Sequence, residues 1–447
     1  MQKRVYIETY GCQMNEYDTE RILRLLESSN YLETKDAKEA DFILINTCSV
    51  REKPEHKVYS ALGRYQWLKE ERGTIIGVAG CVAQQEGDRL LNRVPYLDMV
   101  IGTHAIPMLP QLLQKVECSG QRVCETGFDP EGNYLKTILP QKSPVVGSIR
   151  LDKVKSYVTI MQGCDHFCSY CIVPYVRGRE KSRSSGEIIE EVKRLTEMGV
   201  KEVCLLGQNV NGYGKGLEEE LRFAELLLRI NETEGLHRIR FTTSHPADLS
   251  EELIQAFSRL PKLCEHIHLP FQSGSDRILK AMHRGYTKES YLEKIDRLKG
   301  VCPSIAVTAD VIVGFPGETE TDFEETRTLM NAADFDNSFI FKYSPRPGTP
   351  AADMENDVSD IEKMRRNQVL LEDQDLRGVA ANQRLVGALQ DVLIEGPSLR
   401  NAARWCGRSP GNKIVVFNPK AGLEPGQLAR IRITRAAPQT LYGEAVP

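Results

Sequence analysis

Two sets of cysteines have the residue type and spacing to do chemistry. Cys164-Asp165-His166-Phe167-Cys168-Ser169-Tyr170-Cys171 spells CxxxCxxC. Three thiolates on one loop can hold three irons of a 4Fe-4S cluster and leave the fourth iron open to another ligand. A structural zinc site wants a fourth ligand and a closed tetrahedron. His166 is the nearby candidate, but its place between the cysteines makes joint coordination awkward. The second set, Cys12, Cys48 and Cys81, is dispersed, yet each member follows a strand-like run: Val5 to Thr9, Phe42 to Asn46 and Thr74 to Ala79.

The elements that must position these thiols can be read from periodicity. The second and third runs are nearly all apolar, as expected of strands covered on both faces. Ile22, Leu25 and Leu26, and then Val58, Ala61, Leu62, Tyr65 and Leu68, recur at helical spacing. A βαβα order predicts parallel strands, with all three cysteines just past strand C-termini, where open α/β sheets place their ligand sites. The CxxxCxxC follows a strand-like Tyr157 to Met161 and precedes a helical Gly186 to Met198. Further strands are expected at Val203 to Leu206, Ile239 to Thr243, His266 to Leu269, Ile305 to Val313 and Ser338 to Tyr343, separated by amphipathic stretches such as Glu251 to Leu260 and Tyr291 to Leu298. Six βα units of roughly 35–45 residues predict a full or partial barrel with its site at the strand C-termini. Gly207-Gln208-Asn209, Thr243-Ser244-His245, Phe271-Gln272-Ser273-Gly274 and Gly314 to Glu318 lie at those ends, with glycines for close approach and amides and hydroxyls for hydrogen bonds. Gly212, Gly214 and Gly216 do not match the phosphate-binding fingerprints and read as a loop. His266 and His268 are expected on opposite sides of their strand, one buried and one at the surface.

The 447 residues carry 58 Lys+Arg against 62 Asp+Glu, a formal charge of -4, and are 41% hydrophobic. That composition excludes disordered and fibrous classes, and no apolar run approaches the roughly 18–20 residues of a membrane span. MQKRVYIETYGC mixes charge with apolar residues too soon for a signal peptide, so a cytoplasmic protein is expected, where disulfides are rare. From Arg384 onward the segments become short and β-rich, reading as a small barrel. Nine basic residues there face four acidic ones, which suggests a polyanionic partner such as RNA. Arg404, Arg408, Arg432 and Arg435 in this region, and Arg177, Arg179, Lys181 and Arg183 after the CxxxCxxC, are the candidate phosphate contacts. The expected fold class is α/β, divided into an N-terminal parallel α/β domain (1–118), a linker (119–149), a central partial (βα)6 barrel resembling a TIM barrel (150–380), and an all-β domain (383–446).

CxxxCxxC at the head of a six-unit βα array resembles the radical S-adenosylmethionine superfamily. The three-cysteine domain before it and the β domain after it resemble the methylthiotransferases, whose last part is the TRAM domain. Gly11-Cys12-Gln13-Met14-Asn15-Glu16-Tyr17-Asp18, Asn46 to Lys53 and Gly80-Cys81-Val82-Ala83-Gln84 look like the MiaB-type branch. The resemblance implies conversion of N6-isopentenyladenosine at position 37, in the tRNA anticodon loop, to its 2-methylthio derivative. It implies two 4Fe-4S clusters, a radical S-adenosylmethionine cluster on Cys164, Cys168 and Cys171 and an auxiliary, sulfur-donating one on Cys12, Cys48 and Cys81. Gly207, Gln208, Asn209, Ser244, Gln272 and Gly314 would then line the S-adenosylmethionine pocket. A low-potential electron donor, no membrane and a monomer are expected. Alternatives at this stage are the same chemistry on a threonylcarbamoyl-modified adenosine or on a ribosomal-protein aspartate, and a non-catalytic iron–sulfur RNA-binding sensor.

Overall fold

The apolar runs of the first hundred residues pair into one sheet. In the computed structural model, which describes residues 2–49, 52–129, 131–135, 154–217 and 221–446 (side chains of 52–56 and 133 excepted), the strands are β1 (Lys3–Tyr10), β2 (Tyr31–Glu33), β3 (Phe42–Thr47), β4 (Ile75–Gly80), β5 (Met99–Ile101) and β6 (Val123–Glu125). Their order is β2-β1-β3-β4-β5-β6 and every pair is parallel. Every residue of β3 is buried because helices cover both faces. Phe42 and Leu44 pack with Ile22, Leu26, Leu109 and Leu113 on one side, while Ile43 and Ile45 pack with Val58, Leu62 and Leu90 on the other. Each such fully buried side chain contributes about 1.5–3 kcal/mol. The sheet continues past the expected domain end at 118. β6 pairs with β5, so the first part of the 119–149 linker belongs to this domain; the rest, 136–149, lies outside the described residues, as does the start of the 150–380 region. Val123-Cys124-Glu125 is too short and too polar to register as a strand by pattern.

The central domain starts with β7 (Lys155–Thr159), followed by β8 (Met161–Gln162) and β9 (Lys181–Ser182), a two-residue antiparallel ribbon that brackets the CxxxCxxC. Then come β10 (Glu202–Leu206), β11 (Arg238–Phe241), β12 (His266–His268), β13 (Ala306–Val313) and β14 (Asn337–Lys342). Parallel pairing runs β7-β10-β11 and β12-β13-β14, the two sets joined by a bridge from Ile239 to Leu263. This is the expected six-stranded partial barrel, in sequence order. Amphipathic helices wrap its outside, their apolar residues merging with those of the strands into one core. His266 and His268 both reach Thr308 Oγ1, at 3.1 and 3.0 Å. The expectation of opposite sides is therefore wrong, because positions i and i+2 of a strand share a face. Among the described residues no helix is long and apolar enough to cross a membrane.

The helix Asp360–Gln383 leads into a closed barrel of β15 (Leu389–Ser398), β16 (Asn401–Arg408), β17 (Ile414–Phe417), β18 (Leu428–Ala437) and β19 (Thr440–Ala445), ordered β15-β16-β17-β19-β18. It seats against the N-terminal ends of the central strands, away from the cysteine loops. Arg238 donates to the carbonyls of Arg408 and Asp391. Arg240 donates to those of Ser409 and Pro410, and its Nε lies 3.0 Å from Glu202 Oε2 with both side chains about 95% buried. Two arginines thus convert the open foot of one barrel into a socket for the other. Removing one partner of such a pair strands a buried charge, at a cost of about 3–5 kcal/mol. Arg240→Ala should therefore move the urea transition reported by Trp405 fluorescence to markedly lower urea; an unchanged midpoint would show that the seat carries no load.

Candidate active site

The three dispersed cysteines converge. Cys12 opens the helix Gln13–Glu27, Cys48 follows β3, and Cys81 begins the helix Cys81–Glu86 directly after β4. The Cys12 and Cys81 thiols both lie within hydrogen-bonding reach of Cys48. Backbone geometry makes the approach possible. Gly11 has φ 144° and a Cβ there would sit 2.5 Å from Cys48 Cβ; Gly80 has φ 94° and a Cβ there would sit 2.4 Å from the Thr47 carbonyl. Only glycine meets both demands. Asn15 and Asn46 brace the turn: Asn15 Oδ1 faces the Cys12 amide and thiol at 3.4 Å, and Asn46 Nδ2 donates to the Asn15 carbonyl at 2.8 Å. The Cys48 hydrogen bond is the main cause that lowers the Cys12 and Cys81 thiols, to about 7 and about 6, and the nearby Arg177 guanidinium adds to it; Cys48 itself is pushed up. Thiols poised to ionise beside a cation suit an electrophilic metal.

The second triad sits on the loop between β8 and the short helix Val173–Arg177. Cys168 is buried, and burial pushes Cys164 and Cys171 up to about 12. Arg284 Nη1 points at Cys168 Sγ from 3.4 Å, while its Nη2 donates to the Pro270 carbonyl at 2.8 Å. Ser169 ties the loop to the barrel wall through the Ala281, Met282 and Ala351 backbones. The helix Val173–Arg177 leads out of this loop and packs on Cys81–Glu86, so that Cys81, Ile172 and Val176 form one small apolar cluster. The two triads are thus joined by one short peptide. Met14 and Tyr17 add a second contact between the domains, against Leu206.

Between the CxxxCxxC and the barrel wall, the strand C-termini gather polar groups. Gln208 Oε1 accepts from the Gly163 amide at 2.6 Å, and Asn209 Nδ2 donates to Glu180 and to Asp248, at 3.1 and 2.8 Å. His166 Nε2 lies 2.6 Å from Asp248, and its ring stacks on His245 with centroids 3.5 Å apart. Burial raises Asp248, but its bonds to His166, Asn209 and Lys215 outweigh this and hold it below the usual carboxylate range; burial and then the Arg284 charge keep His245 neutral. Gln162 Nε2, Gln208 Nε2, Asn209 Oδ1, Ser244 Oγ, His245 Nε2 and Gln272 Oε1 are all buried without a protein hydrogen-bond partner. Each such orphan costs about 1–3 kcal/mol, so their concentration at one mouth fits a polar ligand there. Gly207 and Gly314 are different. A Cβ on Gly207 would strike Met161, one on Gly314 would strike Lys363, and the Gly314 amide is taken by Glu318 at 2.9 Å. Packing alone therefore demands glycine at both positions.

The basic residues separate as well. Arg177 and Arg183 are buried and paired, with Asp18 at 2.6 Å and Glu191 at 2.8 Å, so neither can meet RNA phosphates as expected. No local pattern marks either carboxylate as a partner, so in the sequence the run Arg177 to Arg183 reads as phosphate contacts rather than as buried pairs. Arg179 is exposed and paired with Asp165, and Lys181 packs beside Gly132. On the C-terminal barrel Arg404 and Arg432 are exposed, Arg408 is held by Asn412 and Glu395, and Arg435 lies 3.7 Å over the Tyr442 ring. Strict alternation along β18, with Ala429, Ile431 and Ile433 inside, also puts Arg430 beside Arg432 on the outer face. Arg430 enters the sequence reading only as one of the nine basic residues, although its period-2 pattern is available; Asn15 and Asp18 enter only within the Gly11 to Asp18 motif, and Arg284 and Asp248 carry no local signal.

Comparison with known sequences gives the same three parts. The chain matches the uncharacterized protein family UPF0004 over residues 4–102, the radical SAM superfamily over 158–330 and the TRAM domain over 383–446. It is 51% identical to the tRNA-2-methylthio-N(6)-dimethylallyladenosine synthase of Syntrophus aciditrophicus, covering 99% of this chain and 94% of that protein. The protein of that name from Geobacter metallireducens is 50% identical, with 99% and 98% covered. Among solved structures, the radical S-adenosylmethionine methyltransferase TsrM of Kitasatospora setae superposes with a TM-score of 0.60 at 15% identity, over 92% of this chain and 84% of that one. The cobalamin-dependent radical enzyme OxsB does so with a TM-score of 0.54 at 14% identity, over 84% and 56%. These two share the fold. With relatives half identical along the whole length, the chain belongs to the family of the tRNA-2-methylthio-N(6)-dimethylallyladenosine synthases, the MiaB-type methylthiotransferases of the radical SAM superfamily.

Proposed function

We propose that the protein converts N6-isopentenyladenosine at position 37 of tRNA to 2-methylthio-N6-isopentenyladenosine. The observation that carries this reading is the meeting of two cysteine triads, each at strand C-termini of its own α/β domain and joined by the helix Val173–Arg177. Cys164, Cys168 and Cys171 would hold one 4Fe-4S cluster and Cys12, Cys48 and Cys81 a second. Each triad supplies three thiols and leaves one iron free. Bound there, the clusters and S-adenosylmethionine supply the radical chemistry and the sulfur that carbon 2 of adenine, which bears no leaving group, cannot obtain from acid–base groups.

The protein's part is binding, orientation and exclusion of water. Gln162, Gln208, Asn209, Ser244 and Gln272 offer their orphaned polar atoms to S-adenosylmethionine, and the ionised Asp248 with Glu180 offers acceptors to its amino group. Arg284 donates toward Cys168 and fixes the loop on the barrel wall. The N-terminal domain, resting on Leu206 through Met14 and Tyr17, shields the same mouth from solvent. A base from a single-stranded loop can be splayed out into such a pocket. Arg179, Arg404, Arg430, Arg432 and Arg435 remain exposed for phosphate contact.

Two outcomes follow. In cells lacking this protein, mass spectrometry of tRNA nucleosides should show loss of the 2-methylthio derivative, restored by the wild type and not by Cys81→Ala; an undiminished level without a second such enzyme defeats the assignment. Reconstituted protein should hold about eight irons, and replacing Cys164, Cys168 and Cys171 by Ala should leave about half. Loss of all the iron, or of none, would contradict two separate clusters.

A further inference from the structure

Arg177 is in an expensive place. Its side chain is 3% exposed, as is nearly the case for Asp18 at 4%, and the Nη2–Oδ2 distance is 2.6 Å. Burying a guanidinium costs several kcal/mol unless its charge and all its donors are met. One carboxylate meets part of the demand, yet Nη1 has no hydrogen-bond partner in the protein. Beside the guanidinium, in addition to Asp18, lie the Cys81 thiol, within hydrogen-bonding reach of it, and Cys12.

The residue is also clamped. Its carbonyl faces His104 Nε2 at 3.0 Å, and the Val176 carbonyl accepts from Thr103 Oγ1 at 2.6 Å. His104 Nδ1 in turn accepts from the Asp129 amide at 3.2 Å, which leaves the proton on Nε2 to donate to Arg177. The ring packs on Tyr134. Arg177 sits six residues after Cys171, at the end of the helix that leaves the CxxxCxxC. The N-terminal domain therefore grips a peptide of the central domain so that its last cation lies beside the Cys81 thiol.

A buried positive charge beside an anionic cluster favours the more negative, reduced state, because net charge and hydrogen bonds to sulfur set cluster potentials and the interior screens little. We propose that Arg177 raises the reduction potential of the cluster held by Cys12, Cys48 and Cys81, with Asp18 holding the guanidinium in place and moderating its charge. The inference rests on the two-cluster reading above. Arg177 is a positioning residue, supplied to one cluster by the segment that binds the other.

The test uses the full chain, reconstituted anaerobically and assayed for iron, with the midpoint potential of each cluster followed by EPR during redox titration. Arg177→Met should lower the auxiliary potential by at least tenfold in the one-electron equilibrium, about 59 mV, and leave the CxxxCxxC cluster unchanged. Arg177→Lys should shift it less than Arg177→Met. Asp18→Asn should move it the opposite way. A purely structural tie predicts no opposed shifts. An unmoved auxiliary potential in Arg177→Met, or equal shifts of both clusters, overturns the inference while leaving the two-cluster reading intact. Should Arg177→Met fail to load that cluster, Asp18→Asn against wild type decides alone, and the absence of an upward shift overturns it. A wild type that binds only one cluster's iron removes the underlying reading, and the inference with it.

Discussion

Bringing three thiols from three loops into mutual reach is the constraint on which the rest of this structure depends. A parallel sheet supplies it, because β1, β3 and β4 end at the same level and each can release its chain toward the same point. The sheet can do so only if the turn past each strand is tight. Gly11 and Gly80 meet that need with backbone angles and clearances that no other residue tolerates, and Asn15 and Asn46 hold the turn closed. Helices on both faces stabilise the sheet, so the loops are borne on a rigid base rather than forming one themselves.

The same logic recurs one domain later and then links the two. The partial barrel places the CxxxCxxC after β8, and its polar wall comes from the loops after β10, β11 and β12. The helix Val173–Arg177 serves both sites. Its start continues the cluster loop, its apolar side packs on Cys81, and its last residue carries a buried cation to the first triad. Charge is used differently at the far end of the barrel. There Arg238 and Arg240 meet backbone carbonyls of the C-terminal domain, which fixes the exposed arginines of β18 at a set position relative to the site.

Much of this arrangement was legible in the sequence, and the exceptions share a physical cause. The CxxxCxxC is local, and the dispersed cysteines betrayed themselves by following apolar strands. All six central strands were readable from their apolar runs. Pattern failed where partners are distant or elements short. Arg177 and Arg183 read as phosphate contacts because Asp18 and Glu191 are invisible as partners until the chain folds. β6, β16 and β19 lack the apolar density of a buried strand; Asn401-Ala402-Ala403-Arg404 is exposed on a barrel rim. At Gly207 and Gly314 close packing already demands glycine, so a glycine at a strand end does not by itself mark a ligand.

The account stands on separable roles for the two triads within one site. The most direct measurement is anaerobic turnover of reconstituted protein with isopentenylated tRNA, S-adenosylmethionine and a reductant, following 5′-deoxyadenosine and the methylthiolated nucleoside in parallel. Replacing Cys12, Cys48 and Cys81 with Ala should leave formation of 5′-deoxyadenosine and abolish the methylthiolated product. A variant that still methylthiolates, or one that no longer cleaves S-adenosylmethionine at all, would contradict it.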